Sequence, residues 1–257
     1  MLLLIDIGNT NITVAISNDK RLLDDWRIAT SRYTTSDELW LVLCMLLNNN
    51  GYSPATITGA ALSSVVPNLT STVESLLIDR LEVPVINIST ELDLGIVIDY
   101  ENPESVGADR ICNAVAGYQK YGGPLIVVDF GTATTFDIIS SDGTYLGGII
   151  APGPETSVAS LHLAAAKLPA VELRFPETLV GRTTESSMQS GVMHGSVAMI
   201  DGINRQLIGE LGGTTSIVAT GGLSSLFASE LETVDIWEPT LTLDGLRLIF
   251  DRCVDLR

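Results

Sequence analysis

At 257 residues the chain is long enough for one large domain or two of ordinary size, and with 46% hydrophobic and 18% charged residues it has the apolar content for a real core, which excludes general disorder. The 31 Asp and Glu against 14 Lys and Arg leave a net charge of −17 with no Lys/Arg cluster, which excludes the basic face that nucleic-acid binding requires. Three scattered cysteines and two histidines are too poor a ligand set for a structural zinc site.

The acidic balance does not exclude a nucleotide, because backbone amides and metal ions can meet phosphates locally. The thiols, with no C-x-x-C pair, fit a reducing cytoplasm. No stretch approaches the ~20 apolar residues of a membrane helix. Asp6 interrupts the opening Met1-Leu-Leu-Leu-Ile5 before it reaches signal-peptide length. A cytoplasmic protein with no membrane partner is expected.

In chain order, residues 2–16 (LLLIDIGNTNITVAI) read as an apolar strand, a turn and a second β-prone strand, with a third strand from Arg21 to Ala29. Thr35-Ser-Asp-Glu38 is a capping box opening a helix, and Leu39, Val42, Leu43, Leu46 and Leu47 give it an apolar face at helical spacing. A strand over Ile57–Ser63, a helix over Leu69–Leu81 and a strand over Val85–Ile88 follow. After the Pro103 turn, Ala108–Tyr121 reads as a helix. Residues 125–139 (LIVVDFGTATTFDII) then repeat the opening pattern of strand, Asp, Gly turn and strand. Beyond them come a strand over Thr144–Ile150, a helix over Ser157–Lys167 closed by Pro169, and a long helix over Met188–Leu211. A strand over Ile217–Thr220 and a helix over Asp244–Arg252 end the series. The alternation implies an α/β protein of two related lobes, 1–115 and 116–257, packed closely with a cleft between them. Cys44 and Cys112 fall in apolar helical contexts and are expected to be buried, inert thiols. Trp26, Trp40 and Trp237 read as core or interface anchors, and His162 and His194 as surface or packing residues.

The chemistry concentrates in the two hairpins. In Asp6-Ile-Gly-Asn-Thr-Asn11, Gly8 allows a tight turn and close approach of amides to phosphate, while Asp6 can hold Mg2+ directly or through water. An ordinary hairpin turn uses the same residues. In Asp129-Phe-Gly-Thr-Ala-Thr-Thr135, Thr132 and Thr134 can offer hydroxyls to phosphate and Asp129 a carboxylate to a cation. Two such hairpins facing each other would grip a triphosphate from both sides. Ala219-Thr-Gly-Gly222 ends a strand on glycines that a flat nucleoside can lie against. Gly107-Ala-Asp-Arg110 sits at a helix start. There the dipole is expected to lower the pKa of Asp109 and keep it ionised, ready to accept a hydroxyl proton, with Arg110 gripping a substrate carboxylate. The alternative is that Asp109 caps the helix and Arg110 pairs with a surface acid.

These motifs in this order resemble the acetate kinase, sugar kinase, actin and heat-shock chaperone superfamily, and within it the type III pantothenate kinase family. The resemblance is carried by residues 4–11, Tyr100 with Gly107-Ala-Asp-Arg110, and Val128-Asp-Phe-Gly-Thr-Ala-Thr134. Gly147-Gly148, Ala151-Pro-Gly153, Thr183-Thr184, Gln189-Ser-Gly191 and Asp201-Gly202 extend it to about residue 250. Pro154 stands where the family has an aliphatic residue.

The resemblance implies two ribonuclease H-like lobes of the actin-like ATPase fold and ATP-dependent phosphorylation of pantothenate, the first step toward coenzyme A. It implies ATP contacts from Asp6, Ile7, Gly8, Asn9, Thr10, Asn11, Ile12, Thr13, Gly131, Thr132, Gly221 and Gly222, with Mg2+ at Asp6 and K+ or NH4+ at Asp129. It further implies a pantothenate pocket of Tyr100, Gly107, Ala108, Asp109, Arg110 and Thr184, Asp109 as general base, and a homodimer. Another small-molecule kinase or phosphatase of the superfamily, or a non-catalytic regulator of this fold, is the alternative.

Overall fold

A computed structural model describes residues 1–18, 21–31 and 33–255. The chain divides into two compact units: residues 1–119 together with the C-terminal segment from Leu241, and residues 120–240.

In the first unit, β1 (Leu2–Ile7), β2 (Asn11–Asn18) and β3 (Arg21–Ala29) form an antiparallel meander. β4 (Gly59–Ser64) and β5 (Val85–Asn87) add to β1 in parallel, giving the order β3-β2-β1-β4-β5. The continuous apolar run of β1 follows from burial on both faces. One face carries Leu3, Ile5, Ile7, Ala60 and Leu62 against α1 (Ser36–Asn49) and α2 (Pro67–Leu81). The capping box forms as read: the Thr35 side chain accepts from the Glu38 amide and Glu38 reaches back to the Thr35 amide. The other face meets α6, whose residues Leu241–Asp255 pack on β1 and β4. β6 (Val97–Ile98) and a short 3-10 turn at Pro103–Ser105 lead into α3 (Ala108–Tyr121), buried from Arg110 to Gly117 as a central helix must be. α6 crosses α3 so closely that a Cβ on Gly245 would collide with the Cys112 backbone, and Thr242 Oγ1 donates to Asn113 Oδ1 at 2.8 Å.

The second unit repeats the arrangement. β7 (Leu125–Phe130), β8 (Ala133–Ile139) and β9 (Thr144–Pro152) are antiparallel, and β10 (Ser216–Thr220) and β11 (Ile236–Trp237) extend β7 in parallel. The order of these five strands, β9-β8-β7-β10-β11, matches that of the first sheet. The sequence echo is therefore an echo of topology, and the fold class is two related ribonuclease H-like α/β lobes. Ile126, Val128, Phe130 and Phe136 face Met193 and Ile200 of α5 (Thr184–Leu211) in the second core. Trp26 and Trp40 pack on the first core and Trp237 on the second.

Four sequence expectations change. The helix read over Ser157–Lys167 is α4 at Pro154–Ala164, with Pro154 in the first turn, where its missing N–H costs nothing. The long helix starts at Thr184, capped by Thr183 with Ser186, not at Met188. Cys112 is buried as expected, but Cys44 is only half-buried. The last helix, placed by the sequence in a second lobe of 116–257, packs in the first unit.

Candidate active site

Asp6 of β1 stands in register with Ser63 of β4. Side chains alternate along a strand, so both project to the face away from the α1/α2 core. Ser63 is fully buried, and its hydroxyl donates to Asp6 Oδ1 at 2.8 Å. Asp109 and Cys112, three apart on α3, share a side of that helix. The Cys112 thiol is pushed well up by burial first and then by the carboxylates of Asp6 and Asp109, with a Ser63 hydrogen bond working against both.

Asp109 Oδ1 accepts the Arg110 amide at 2.8 Å. The carboxylate folds back over Gly107, where an added Cβ would run into Asp109 Oδ1 and push the carboxylate aside. Burial raises the Asp109 pKa, against the lowering effect of the Arg110 amide and guanidinium. This reverses the direction expected from the helix dipole alone: desolvation outweighs the first-turn amides. The capping alternative is partly present too, since one oxygen satisfies a first-turn donor. Arg110 is itself buried, at 8% exposed.

The first hairpin turn is held by Gly8, whose amide donates to the Asn11 carbonyl at 2.9 Å, and by Thr30, whose amide and hydroxyl donate to the carbonyls of Thr10 and Gly8. Asn9, Thr10 and Asn11 are exposed, and Thr13 is half-buried. Ile7, Ile12 and Ala108 bury their side chains and have only backbone to offer a ligand. Tyr100 is exposed ahead of α3.

In the second unit, Asp129 of β7 is in register with Thr220 of β10. Gly221 follows with φ +94°, and a Cβ there would collide with the Asp129 carboxylate. Ser224 donates through its hydroxyl to the Gly221 carbonyl at 2.7 Å and fixes that turn, leaving Gly222 exposed. Gly131 closes the second hairpin through its amide to the Ala133 carbonyl at 3.0 Å. Thr132 is exposed, and its carbonyl accepts from the Gly153 amide and the Thr156 hydroxyl. That is the physical role of Ala151-Pro-Gly153: it ties the start of α4 to the turn. Thr134, read as a second phosphate hydroxyl, is instead fully buried. Its oxygen meets no hydrogen-bond partner.

Thr184 is the exposed first residue of α5. Two other motifs prove to be anchors. Gln189 and Ser190 donate to the carbonyls of Glu172 and Leu179, holding the irregular segment before α5. Asp201 accepts from the amides of Glu232 and Thr233 and from the Thr233 hydroxyl. His162 reaches the Leu168 carbonyl and His194 stacks edge-on against Phe175, the packing roles expected. Sequence reasoning missed Ser63, Cys112, Thr30 and Ser224. The strand register, which a single sequence does not print, reveals Ser63.

Among the described residues no group of three or more His, Cys, Asp and Glu could hold a metal ion by itself. That fits Mg2+, which binds through one or two carboxylates while phosphate and water fill the rest of its shell. No helix among the described residues is long and apolar enough to cross a membrane.

Comparison with known proteins gives the same direction. The chain is 46% identical over 252 residues to a type III pantothenate kinase of Moorella thermoacetica, covering 98% of this chain and 99% of the relative. It is 45% identical over 253 residues to one of Desulfatibacillum aliphaticivorans, covering 98% of each. Among solved structures, the ROK hexokinase from Thermus thermophilus is similar in fold alone, at 12% identity and a TM-score of 0.52 over 100% of this chain and 99% of the other. The family model for type III pantothenate kinase matches residues 2–206. On that match and these relatives, the chain belongs to the type III pantothenate kinase family.

Proposed function

We propose that this protein transfers the γ-phosphoryl group of ATP to the primary hydroxyl of pantothenate, opening coenzyme A synthesis in the cytoplasm. The observation that carries the reading is the Asp6 carboxylate held by the buried Ser63 hydroxyl, with Asp109 in the first turn of α3, in a chain 46% identical over nearly its whole length to a type III pantothenate kinase.

Phosphoryl transfer asks for positioning, charge compensation and a late proton acceptor. Asp109, with its pKa raised by burial, is a stronger base than a solvated aspartate and accepts the hydroxyl proton. Arg110 orients the substrate carboxylate, and Tyr100, Gly107, Ala108 and Thr184 complete the pocket. Residues 6–13, Gly131, Thr132, Gly221 and Gly222 hold ATP, chiefly through amides and hydroxyls. Asp6 would hold Mg2+ and Asp129 a monovalent cation, K+ or NH4+. When bound, these ions offset phosphate charge in a protein that places no lysine in either hairpin. Exposed Leu146 and Ile150 on β9, Leu163 on α4, and Leu179 and Val180 ahead of α5 support self-association as a homodimer. A sedimentation mass of a single 27.4 kDa chain would remove the dimer.

The test is coupled ADP release by the purified protein, with and without pantothenate, in K+ or Na+ buffer. Release that needs pantothenate and K+ is expected. Turnover indifferent to pantothenate but robust with sugars would overturn the assignment, and full activity in Na+ would remove the role given to Asp129.

A further inference from the structure

We infer that Ser63 is a positioning residue for the reaction, its buried hydroxyl fixing the Asp6 carboxylate from the neighbouring strand. The proposal rests on the reading of Asp6 as the Mg2+-ATP carboxylate and deepens it.

The geometry is specific. Ser63 is 0% exposed and in register with Asp6, and its hydroxyl donates to Asp6 Oδ1 at 2.8 Å. A serine hydroxyl has one hydrogen. That hydrogen is given to Asp6. One carboxylate oxygen is held in a charge-assisted bond, and the rotamer of the acid is set.

The second unit sharpens the point. Its register places Thr220 opposite Asp129 in the same relation as Ser63 to Asp6. Yet the Thr220 hydroxyl is buried with no hydrogen-bond partner. A hydroxyl residue at this strand position is thus common to both lobes, and its use as a donor to the acid is seen at Ser63. Replacing one hydroxyl in a packed layer alters no core volume, so a fold-maintenance role would appear as lost stability alone. A positioning role appears in the metal dependence.

The experiment measures Mg2+ titrations of pantothenate-dependent ADP release by the full-length protein, with thermal unfolding alongside. Ser63→Ala is expected to raise the half-saturating Mg2+ concentration about tenfold, the size of a lost hydrogen bond to a charged group. The KM for pantothenate should stay within about twofold. Because Ser63→Ala leaves buried donors and acceptors unmatched and could fail to fold, Ser63→Thr and Ser63→Val form the second comparison. They share a shape and differ in the hydroxyl, so Thr should keep the wild-type Mg2+ dependence and Val should lose it. Equal Mg2+ dependence of the Thr and Val variants overturns the proposal. Asp6→Asn separates the two levels. If it titrates with Mg2+ as the wild type does, the reading of Asp6 fails. If it is inactive while Thr and Val remain alike, the positioning role alone fails.

Discussion

Asp109 sits where two effects oppose each other. The first turn of α3 offers it an amide at 2.8 Å, which favours the charged form, and burial favours the neutral one. Burial wins, so the folded-state pKa lies above the unfolded value. The stability linked to such a group is fully present below the unfolded pKa and is lost as pH rises through the folded pKa. At neutral pH the ionised acid therefore costs stability, as functional residues commonly do. Asp109→Asn keeps an oxygen for the Arg110 amide and removes the charge. Its melting temperature is expected to exceed that of the wild type at pH 7, with the gap closing as pH falls toward the ordinary aspartate range. Thermal unfolding across pH checks this, and a variant less stable than wild type at pH 7 would count against a buried charged base. The sequence showed Asp109 and its helix start but not this sign, because spacing reveals dipole and cap, whereas depth of burial depends on what packs above.

Among the elements, α3 carries the acid and α6 holds α3 in place. Their crossing has no room for a methyl group at Gly245. Gly245→Ala is expected to cost about 1–3 kcal/mol, as overpacking does. It should also lower pantothenate-dependent turnover, because the backbone at Cys112 must shift and Asp109 lies one turn away. Gly209→Ala is the matched control: an exposed helical glycine of α5 with open space around it, expected to be neutral or stabilising by up to about 1 kcal/mol. Denaturant unfolding of the pair measures both. Loss of stability at both positions alike would show helix propensity, not the crossing, to be in control. Element bounds were legible wherever a local signal existed. The Thr35–Glu38 box marked α1, and Ala108–Tyr121, read as a helix after the Pro103 turn, forms with those bounds. Where the signal was ambiguous the reading slipped. Pro154 reads equally as a loop residue or a first-turn proline, and only the tie from Gly153 and Thr156 to the Thr132 carbonyl decides for the helix.

For the molecule as a whole, the repeated Asp-x-Gly hairpin was enough to read two lobes of one ancestry, and the matching strand orders extend that repeat to five strands each. The home of the last helix was not legible. Nothing in Leu241–Asp255 signals a long-range partner, and what ties it to the first unit is Gly59 against Phe250 and Gly245 against Cys112. Ser63 was hidden for the same reason: it is an ordinary strand serine until the register sets it beside Asp6. A chain of net charge −17 that is to handle two anionic substrates must also place its few favourable contacts well, and the acid that ends the reaction is the most exacting of them.

The most direct test of that placement compares wild type and Asp109→Asn in single-turnover phosphorylation of pantothenate, with pantothenate affinity measured by calorimetry on the same samples. The expected result is a rate lower by ~10²–10⁴-fold with affinity changed by no more than about threefold. Phosphorylation by the Asn variant at a rate close to wild type would contradict the role given to the Asp109 carboxylate.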